Sequence, residues 1–252
     1  MVVGVLQVRM GSTRLPGKVL LEIMGKPMLL LQIERLLRAS EIDKLIIATT
    51  TNSDDDQIEE LIESIGLECY RGSEDDVLDR YYQAASKYLP EYIVRLTGDD
   101  PLTDPELIDK MIQEIKANGC DAVTNTMNAT FPEGLDASVI TYQALKKAWE
   151  NAKLSSQREH VTPYILENES LFNVEHYTQE NDMSTLRWTV DYQEDFDFVK
   201  SVYEALYEKN PEFKSADIYE LLDKNPQLLN INNNFKRNEG YLKSLQNDKK
   251  VQ

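Results

Sequence analysis

The sequence of 252 residues predicts an α/β fold, a mainly parallel sheet with helices on both faces. Short, continuous apolar runs recur at residues 2–8, 45–49 and 92–96, and such runs are typical of strands buried on both sides. Segments of about 10–15 residues with helical periodicity separate these runs, which is the pattern of βαβ units. The length is sufficient for one large domain or two small ones with a sizeable core.

Local signals place the elements of the amino-terminal half. A helix at 28–37 follows the first strand and ends at the turn Ala39-Ser40. Ser53 is expected to cap a helix that runs to about residue 65, because three aspartates in its first turn suit the helix dipole and Gly66 ends it. The half is completed by a short strand at 67–71, a helix at 74–88 and the buried strand at 92–96.

The carboxyl-terminal half begins with a well-marked helix and then becomes less regular. Asp104 followed by Pro105 is typical of a helix start, and this helix is expected to reach about residue 117. We expect one domain over residues 1–222, with an irregular excursion at about 126–185, and a polar tail at 223–252. The further elements expected are strands at 121–125, 137–140 and 187–190, and helices at 142–149, 157–167, 194–208 and 215–222.

Composition excludes several classes of partner. The chain carries 27 Lys and Arg against 44 Asp and Glu, a net charge of −17, which argues against binding nucleic acid or an anionic membrane surface. No apolar run approaches the roughly 20 residues of a membrane span, and the run 2–8 has the features of a first strand and not of a signal peptide. Two cysteines without a CxxC motif favour a cytoplasmic protein.

The loop that follows the first strand concentrates positive charge. The first 38 residues hold six Lys and Arg against two Glu, although the whole chain is acidic. Three of these cations, Arg9, Arg14 and Lys18, lie in the loop 9–18 together with two glycines and two hydroxyl side chains. Glycines let backbone N–H groups approach an anion, and ligands bind at the carboxyl ends of parallel strands. The loop therefore predicts a polyphosphate site, with a charged surface turn as the alternative, and its spacing is not that of a Walker A loop.

Two acidic loops follow later strands and are candidates for a magnesium site. Asp99 and Asp100 come after the strand 92–96, and either carboxylate suits Mg²⁺; the alternative is an ordinary turn at an Asp-Pro pair. Asp191 ends the expected strand 187–190, and its spacing to Glu194 is also that of a capping box. The segment Asp195-Phe196-Asp197 has the form of a DxD motif, but it lies in a helical pattern and is expected to be a solvated face.

The segments 12–18 and 25–27, with Arg9, are in register with a known signature. The sequence resembles the cytidylyltransferases that make CMP-activated sugar acids, and is most similar to relatives assigned to spore coat polysaccharide biosynthesis. The resemblance implies a Rossmann-like nucleotide-diphospho-sugar transferase fold and the cofactor Mg²⁺ bound by Asp99 and Asp191. It implies nucleotide contacts and acceptor contacts at the following positions: Arg9, Gly11, Ser12, Thr13, Arg14, Lys18, Arg71 and Ser73 for CTP, and Gly134, Asp136 and His160 for the sugar.

Some of these positions have plainer interpretations. Ser73 is also a suitable N-cap for the helix 74–88, and His160 is about equally well explained as a structural histidine. The segment 131–136 resembles one that faces the sugar in relatives. It is followed here by Ala137 and Ser138, where relatives more often have an acid, so the preferred acceptor is expected to differ from theirs.

The resemblance implies transfer of CMP from CTP to an acidic 2-keto sugar, with release of pyrophosphate. Arg14, Lys18, Asp99 and Asp191 would carry the catalysis, and in relatives the excursion 126–185 forms a homodimer contact. The alternative is a glycosyltransferase that uses a nucleotide sugar, which the lack of a DxD at a strand end disfavours. A non-catalytic nucleotide-binding protein is the third possibility, and the presence of all three cations and both aspartates disfavours it.

Overall fold

A seven-stranded sheet forms the centre of the computed structural model, which describes residues 1–251. The strand order is β5-β4-β1-β6-β8-β7-β9, and within this sheet only β8 runs antiparallel to its neighbours. Strands β2 and β3 form a separate short hairpin. The strands are β1 (Val2–Gln7), β2 (Glu22–Ile23), β3 (Lys26–Pro27), β4 (Lys44–Thr50), β5 (Glu68–Gly72), β6 (Tyr92–Thr97), β7 (Ala122–Thr124), β8 (Ser138–Thr141) and β9 (Val174–His176).

Helices cover both faces of this sheet, which confirms the predicted fold class. Leu6 of β1 points into one core and Val5 into the other, as alternation along a strand requires. Helices α1, α2, α4, α8 and α9 contribute to the first core, and α3, α5 and α7 to the second. The helices are α1 (Met28–Leu36), α2 (Asp56–Ser64), α3 (Val77–Ser86), α4 (Pro105–Asn118), α5 (Tyr142–Asn151), α6 (Ser155–His160), α7 (Pro163–Leu166), α8 (Gln193–Leu206), α9 (Ser215–Lys224) and α10 (Glu239–Gln246).

The register of the sheet brings two of the predicted loops together. Gln7 at the end of β1 pairs with Thr97 at the end of β6, so the loops that follow both strands open side by side. Gly98 makes this possible, because a Cβ there would lie 2.4 Å from the Val8 Cγ1 atom. The strands therefore end at one common edge, where a ligand is expected in a sheet of this kind.

The prediction of a strand at residues 187–190 is wrong. Within this segment Arg187 forms only one isolated bridge, to Glu133. Its backbone bonds to two loops instead: the Trp188 N–H donates to the Glu133 carbonyl at 2.6 Å, and the Val190 N–H donates to the Asp99 carbonyl at 2.7 Å. The segment is apolar because it is buried, and its hydrogen bonds tie Asp191 to the loop that carries Asp99.

Two helix predictions also need correction. Ser53 does not cap α2, because a 3₁₀ turn at Ser53–Asp55 precedes the helix and no side-chain cap bond is formed. The expected helix at 157–167 is broken into α6 and α7, since Val161 adopts a positive φ of 72° and Pro163 follows.

The segment 223–252, expected as a polar tail, contains structure that its composition did not indicate. It forms a 3₁₀ turn at Pro226–Asn230 and then α10, which packs on α6. Among the described residues, no helix is both long and apolar enough to cross a membrane.

Candidate active site

A cavity of about 570 Å³ opens at the carboxyl edge of the strands. Its walls come from the loop after β1, the loop after β6, the segment before α8, and the helices α6 and α10. The sequence-predicted residues that line it are Arg9, Gly11, Ser12, Thr13, Arg14, Lys18, Asp99, His160 and Asp191. The fold thus brings together residues that lie up to 182 positions apart in the chain.

The loop after β1 curls around one backbone carbonyl. The N–H groups of Ser12 and Gly17 both donate to the Met10 carbonyl, at 2.8 and 3.1 Å. Gly17 has a φ of 69°, which permits the loop to close at this point. Within residues 1–251, the N–H groups of Gly11 and Thr13 have no protein acceptor and are free to bind an anion.

Two carboxylates from distant loops converge on one lysine. The Lys18 Nζ atom lies 3.6 Å from Asp99 Oδ2 and 3.0 Å from Asp191 Oδ1. Lys18 Nζ also donates to the Val190 carbonyl at 2.6 Å, and Arg14 Nη2 lies 2.6 Å from Asp191 Oδ1. The positive loop and the two predicted metal ligands are therefore parts of a single site.

The electrostatics of the site keep Asp191 ionised. Burial favours the neutral acid, but the charges and hydrogen bonds of Lys18 and Arg14 outweigh it and lower the pKa of Asp191 to about 2. Asp100 behaves in the opposite way: burial, together with the nearby charges of Asp99 and Asp136, raises its pKa well above the usual value. Asp100 accepts a hydrogen bond from the Thr97 hydroxyl at 2.7 Å and does not line the cavity, whereas Asp99 does.

The expectation that Asp195 lies on a solvated face is wrong. Asp195 is fully buried, and its carboxylate accepts two hydrogen bonds from Arg187, at 2.9 and 3.0 Å. It also accepts the backbone N–H groups of Asp191 and Tyr192, both at 3.0 Å. Asp195, and not Asp191, is thus the residue that caps the start of α8, which leaves the Asp191 carboxylate to the cavity.

The donor set suits a magnesium ion that a nucleotide shares. Asp99 and Asp191 offer carboxylate oxygens, and Mg²⁺ is typically held by one or two carboxylates together with substrate phosphates. No group of three or more His, Cys, Asp or Glu side chains placed to hold a metal occurs in residues 1–251. The residues present therefore fit a metal that requires phosphate oxygens to complete its coordination.

Arg71 and Ser73, which were expected to contact CTP, lie outside the cavity lining. Arg71 pairs with Asp56 at 2.6 Å and with Glu59 at 2.7 Å. The Ser73 hydroxyl accepts the Asp76 N–H at 3.0 Å and does not cap α3, because Asp76 itself is the N-cap. Both side chains therefore have structural partners in this state of the chain.

The three residues expected at the sugar differ in their positions. His160 lines the cavity, with its Nε2 atom 2.9 Å from the Ser244 Oγ, and burial lowers its pKa. Gly134 and Asp136 do not line the cavity. A Cβ on Gly134 would lie 2.4 Å from the Thr189 nitrogen, so this position shapes the backbone next to Asp191.

Sequence reasoning missed the wall that the carboxyl-terminal segment supplies. Residues of α10 and its flanks line the cavity, although no role in a site was expected for them: Asn238, Glu239, Gly240, Lys243, Ser244 and Asn247. The signal that could have found them is the helical spacing of Tyr241, Leu242 and Leu245 within the polar segment.

A cationic glycine loop at the carboxyl edge of a mainly parallel sheet, facing two carboxylates, is typical of an enzyme that binds a nucleotide at that edge. Residues 3–221 match the model of the family described as cytidylyltransferase. The chain belongs to this family, which confirms the resemblance found in the sequence. The match supports nucleotidyl transfer over the glycosyl transfer that the sequence left open.

Individual relatives agree with this assignment. The spore coat polysaccharide biosynthesis protein SpsF of Bacillus subtilis is 35% identical over 229 residues, which cover 88% of this chain and 94% of that protein. The solved structure of a cytidylyltransferase from Leptospira borgpetersenii superposes with a TM-score of 0.87 at 35% identity, covering 93% of this chain and 98% of that one. The 3-deoxy-manno-octulosonate cytidylyltransferase of Trichlorobacter lovleyi is 37% identical over 119 residues, which cover 46% of each chain.

Proposed function

We propose that this protein transfers CMP from CTP to a hydroxyl group of an acidic 2-keto sugar, with Mg²⁺ as cofactor and pyrophosphate as the second product. The observation that carries this proposal is the position of Lys18 Nζ, 3.6 Å from Asp99 and 3.0 Å from Asp191. A cation and two carboxylates at the end of a polyphosphate-binding loop are the groups that such a transfer needs.

The loop after β1 binds the triphosphate in this proposal. The side chains of Arg9, Arg14 and Lys18, with the free N–H groups of Gly11 and Thr13, surround it with positive charge. The acceptor oxygen attacks the α-phosphorus, the bond to the bridging oxygen of the β-phosphate breaks, and the hydroxyl proton is lost. Arg14 and Lys18 offset the charge that develops on the pyrophosphate, so that positioning and electrostatics supply the catalysis without a covalent intermediate.

Asp99 and Asp191 hold the metal ion in this proposal. When bound, Mg²⁺ would neutralise phosphate charge and lower the pKa of the attacking hydroxyl. Arg14 and Lys18 occupy the Asp191 carboxylate in the structure, at 2.6 and 3.0 Å. Nucleotide phosphates would compete for these cations and so release the Asp191 carboxylate.

An acidic sugar as acceptor rests on relatives and on the polarity of the cavity. The partial match to 3-deoxy-manno-octulosonate cytidylyltransferases supports a sugar acid. His160 lines the wall that remains beside the triphosphate loop and would contact the sugar. Gly134 would act on the same region through the backbone that leads to Asp191, and Asp136 through its ion pair with Arg237, which precedes α10.

The organisation of the chain is part of this proposal. Residues 1–222 form the nucleotidyltransferase domain, residues 223–252 follow it, and the excursion 126–185 forms the contact of a homodimer. The protein acts in the cytoplasm, on soluble nucleotide and sugar.

The experiment that tests the function is a pyrophosphate-release assay with CTP, Mg²⁺ and a panel of 2-keto sugar acids. We expect release with at least one acid, and loss of most activity in Lys18→Met. Lys26→Met is the matched control, because Lys26 pairs with Glu34 and does not line the cavity. Absence of pyrophosphate with every acid, together with cleavage of a nucleotide sugar, would favour a glycosyltransferase.

A further inference from the structure

One wall of the cavity is built by two helices that are far apart in the chain, α6 and α10. Ser155, Glu159 and His160 reach the cavity from α6, and Lys243 and Ser244 reach it from α10. We infer that Lys243 binds the carboxylate of the acceptor and so makes the enzyme selective for sugar acids. This inference rests on the proposed function and adds the residue that recognises the acid.

Lys243 differs from the other basic side chains of the cavity in having no acidic partner. Arg9, Arg14 and Lys18 each have a carboxylate oxygen within 4 Å, from Glu74, from Asp191, and from Asp99 and Asp191 respectively. Within residues 1–251, no carboxylate lies within that distance of Lys243 Nζ. Lys243 is an exposed residue that lines the cavity, and an ammonium group without a protein partner can form a charge-assisted hydrogen bond with a negative group of the ligand.

The backbone that carries Lys243 is held in place on both sides. The Ser244 hydroxyl contacts His160 Nε2 at 2.9 Å and donates to Glu159 at 2.9 Å. Beyond the helix, the Asp248 carboxylate accepts hydrogen bonds from the Ser156 N–H at 3.0 Å and from its hydroxyl at 2.8 Å. These contacts fix α10 against α6, so the Lys243 side chain starts from a defined point on the cavity wall.

The start of α10 is tied to the catalytic end of the cavity. The Asn238 N–H donates to Glu133 at 2.8 Å, and Glu133 pairs with Arg187 at 2.5 Å. Tyr192, the neighbour of Asp191, donates its hydroxyl to Glu239 at 3.0 Å. The helix that carries Lys243 is therefore hydrogen-bonded to the segment that carries Asp191, although Lys243 lies 52 residues further along the chain.

The wall formed by α6 and α10 carries two carboxylates beside Lys243, and both have partners: Glu159 accepts from the Ser244 hydroxyl and Glu239 accepts from the Tyr192 hydroxyl. The Lys243 ammonium is the charged group of this wall that has no protein partner within residues 1–251, which favours a sugar acid over a neutral sugar. Three cations of the loop after β1 already face the triphosphate, so a further cation on a different wall matches a second negative group. The side-chain amide of Asn247, which also lines the cavity, offers a hydrogen bond to a sugar hydroxyl. A neutral sugar would leave the ammonium unmatched, whereas a carboxylate would form a charge-assisted hydrogen bond with it.

The test compares an acid with its own methyl ester. Binding of 3-deoxy-manno-octulosonate, N-acetylneuraminate and their methyl esters is measured by calorimetry in the presence of CTP and EDTA, which prevents the metal-dependent transfer, for the wild type, Lys243→Met and Lys249→Met. Lys249 is the matched control, because it is exposed in the same segment and does not line the cavity. We expect the wild type and Lys249→Met to bind one acid about 10- to 100-fold more tightly than its ester, which is the effect of one hydrogen bond to a charged group. Lys243→Met should bind acid and ester equally.

The outcomes separate this inference from the proposed reaction. Retained discrimination in Lys243→Met, or a wild type that binds no acid more tightly than its ester, would overturn the role of Lys243. A wild type that binds an acid through Lys243 but releases no pyrophosphate would contradict the reaction and still support the contact. Unchanged affinity of Lys243→Met for CTP would show that the variant retains its fold and its nucleotide site.

Discussion

Asp195 accepts two hydrogen bonds from one edge of the Arg187 guanidinium group, from Nε to Oδ1 at 2.9 Å and from Nη2 to Oδ2 at 3.0 Å. Both side chains are buried, and the same Asp195 carboxylate accepts the Asp191 N–H at 3.0 Å. Asp191 thus has its backbone fixed by Asp195 while its own carboxylate faces Lys18 and Arg14. The buried ion pair therefore supports the segment from which the Asp191 carboxylate reaches the cavity.

Asp195→Asn should therefore reduce both stability and activity. Removal of one partner from a buried ion pair typically costs about 3–5 kcal/mol, and we expect the lower end of this range because Arg187 keeps its pair with Glu133. We expect the free energy of unfolding in urea to fall by about 3 kcal/mol and pyrophosphate release to decrease. Asp197→Asn is the control, since Asp197 is exposed two residues further along α8 and should change stability by less than about 0.5 kcal/mol. Equal effects of the two substitutions would contradict the supporting role of Asp195.

Gly134→Ala should be among the most damaging single-methyl substitutions in this chain. A Cβ at this position would lie 2.4 Å from the Thr189 nitrogen and 2.5 Å from the Trp188 carbonyl carbon, and φ is +108°. These are backbone atoms, and moving them would distort the chain around Trp188 and Thr189. We therefore expect the free energy of unfolding to fall by more than about 3 kcal/mol. Gly25→Ala separates the two causes, because φ there is +76° and no atom lies within 4 Å. It should cost only about 1–2 kcal/mol, and a similar cost at both positions would argue against the close contact.

Local signals in the sequence were sufficient for the parts of the site that lie within one short segment. The glycines and cations of the loop after β1 stand within ten residues of each other, and the loop lines the cavity as expected. The burial of Asp195 could not be predicted, because two acids in a helical pattern are typical of an exposed face. Its partner Arg187 lies eight residues away in a segment that resembled a strand. The contact between His160 and Ser244 spans 84 residues, and no local pattern encodes it.

Asp136 should make stability depend on pH between about 4 and 6. Burial raises the pKa of this carboxyl group to about 6, although the charge of Arg237 opposes the change. Between about pH 4 and pH 6, Asp136 therefore keeps its proton in the folded state but has lost it in the unfolded chain, where its pKa is near 4. The free energy of unfolding consequently falls as the pH rises through this window. Two pKa units correspond to about 3 kcal/mol.

Urea unfolding at pH 4 and pH 7 measures this dependence. The free energy of unfolding differs between pH 4 and pH 7, and in Asp136→Asn the part of this difference that Asp136 contributes should disappear. Leu135→Ala is the control, because loss of this buried apolar side chain should lower stability equally at both pH values. A difference between the two pH values that is the same in wild type and Asp136→Asn would refute the prediction.

Asp99→Asn and Asp191→Asn should each remove most of the turnover, while CTP binding partly survives. Each variant keeps the cations of the loop after β1, so we expect the Kd for CTP to remain within about tenfold of the wild type by calorimetry. Pyrophosphate release should fall by about 10²–10³-fold, because these carboxylates are proposed to hold the metal at the reacting phosphate. Chelation of divalent metal should abolish wild-type activity, and added Mg²⁺ should restore it.

The dependence on magnesium distinguishes metal ligands from groups that only position the phosphates. If Asp99 and Asp191 bind the ion, the Mg²⁺ concentration for half-maximal activity should rise in both variants, because a carboxylate ligand is replaced by a neutral amide. Asp197→Asn should leave this concentration unchanged, since Asp197 is the exposed end of the DxD-like segment and does not line the cavity. Full activity in either active-site variant would rule out its metal role. An increased magnesium requirement in Asp197→Asn would instead point to the DxD arrangement of a glycosyltransferase.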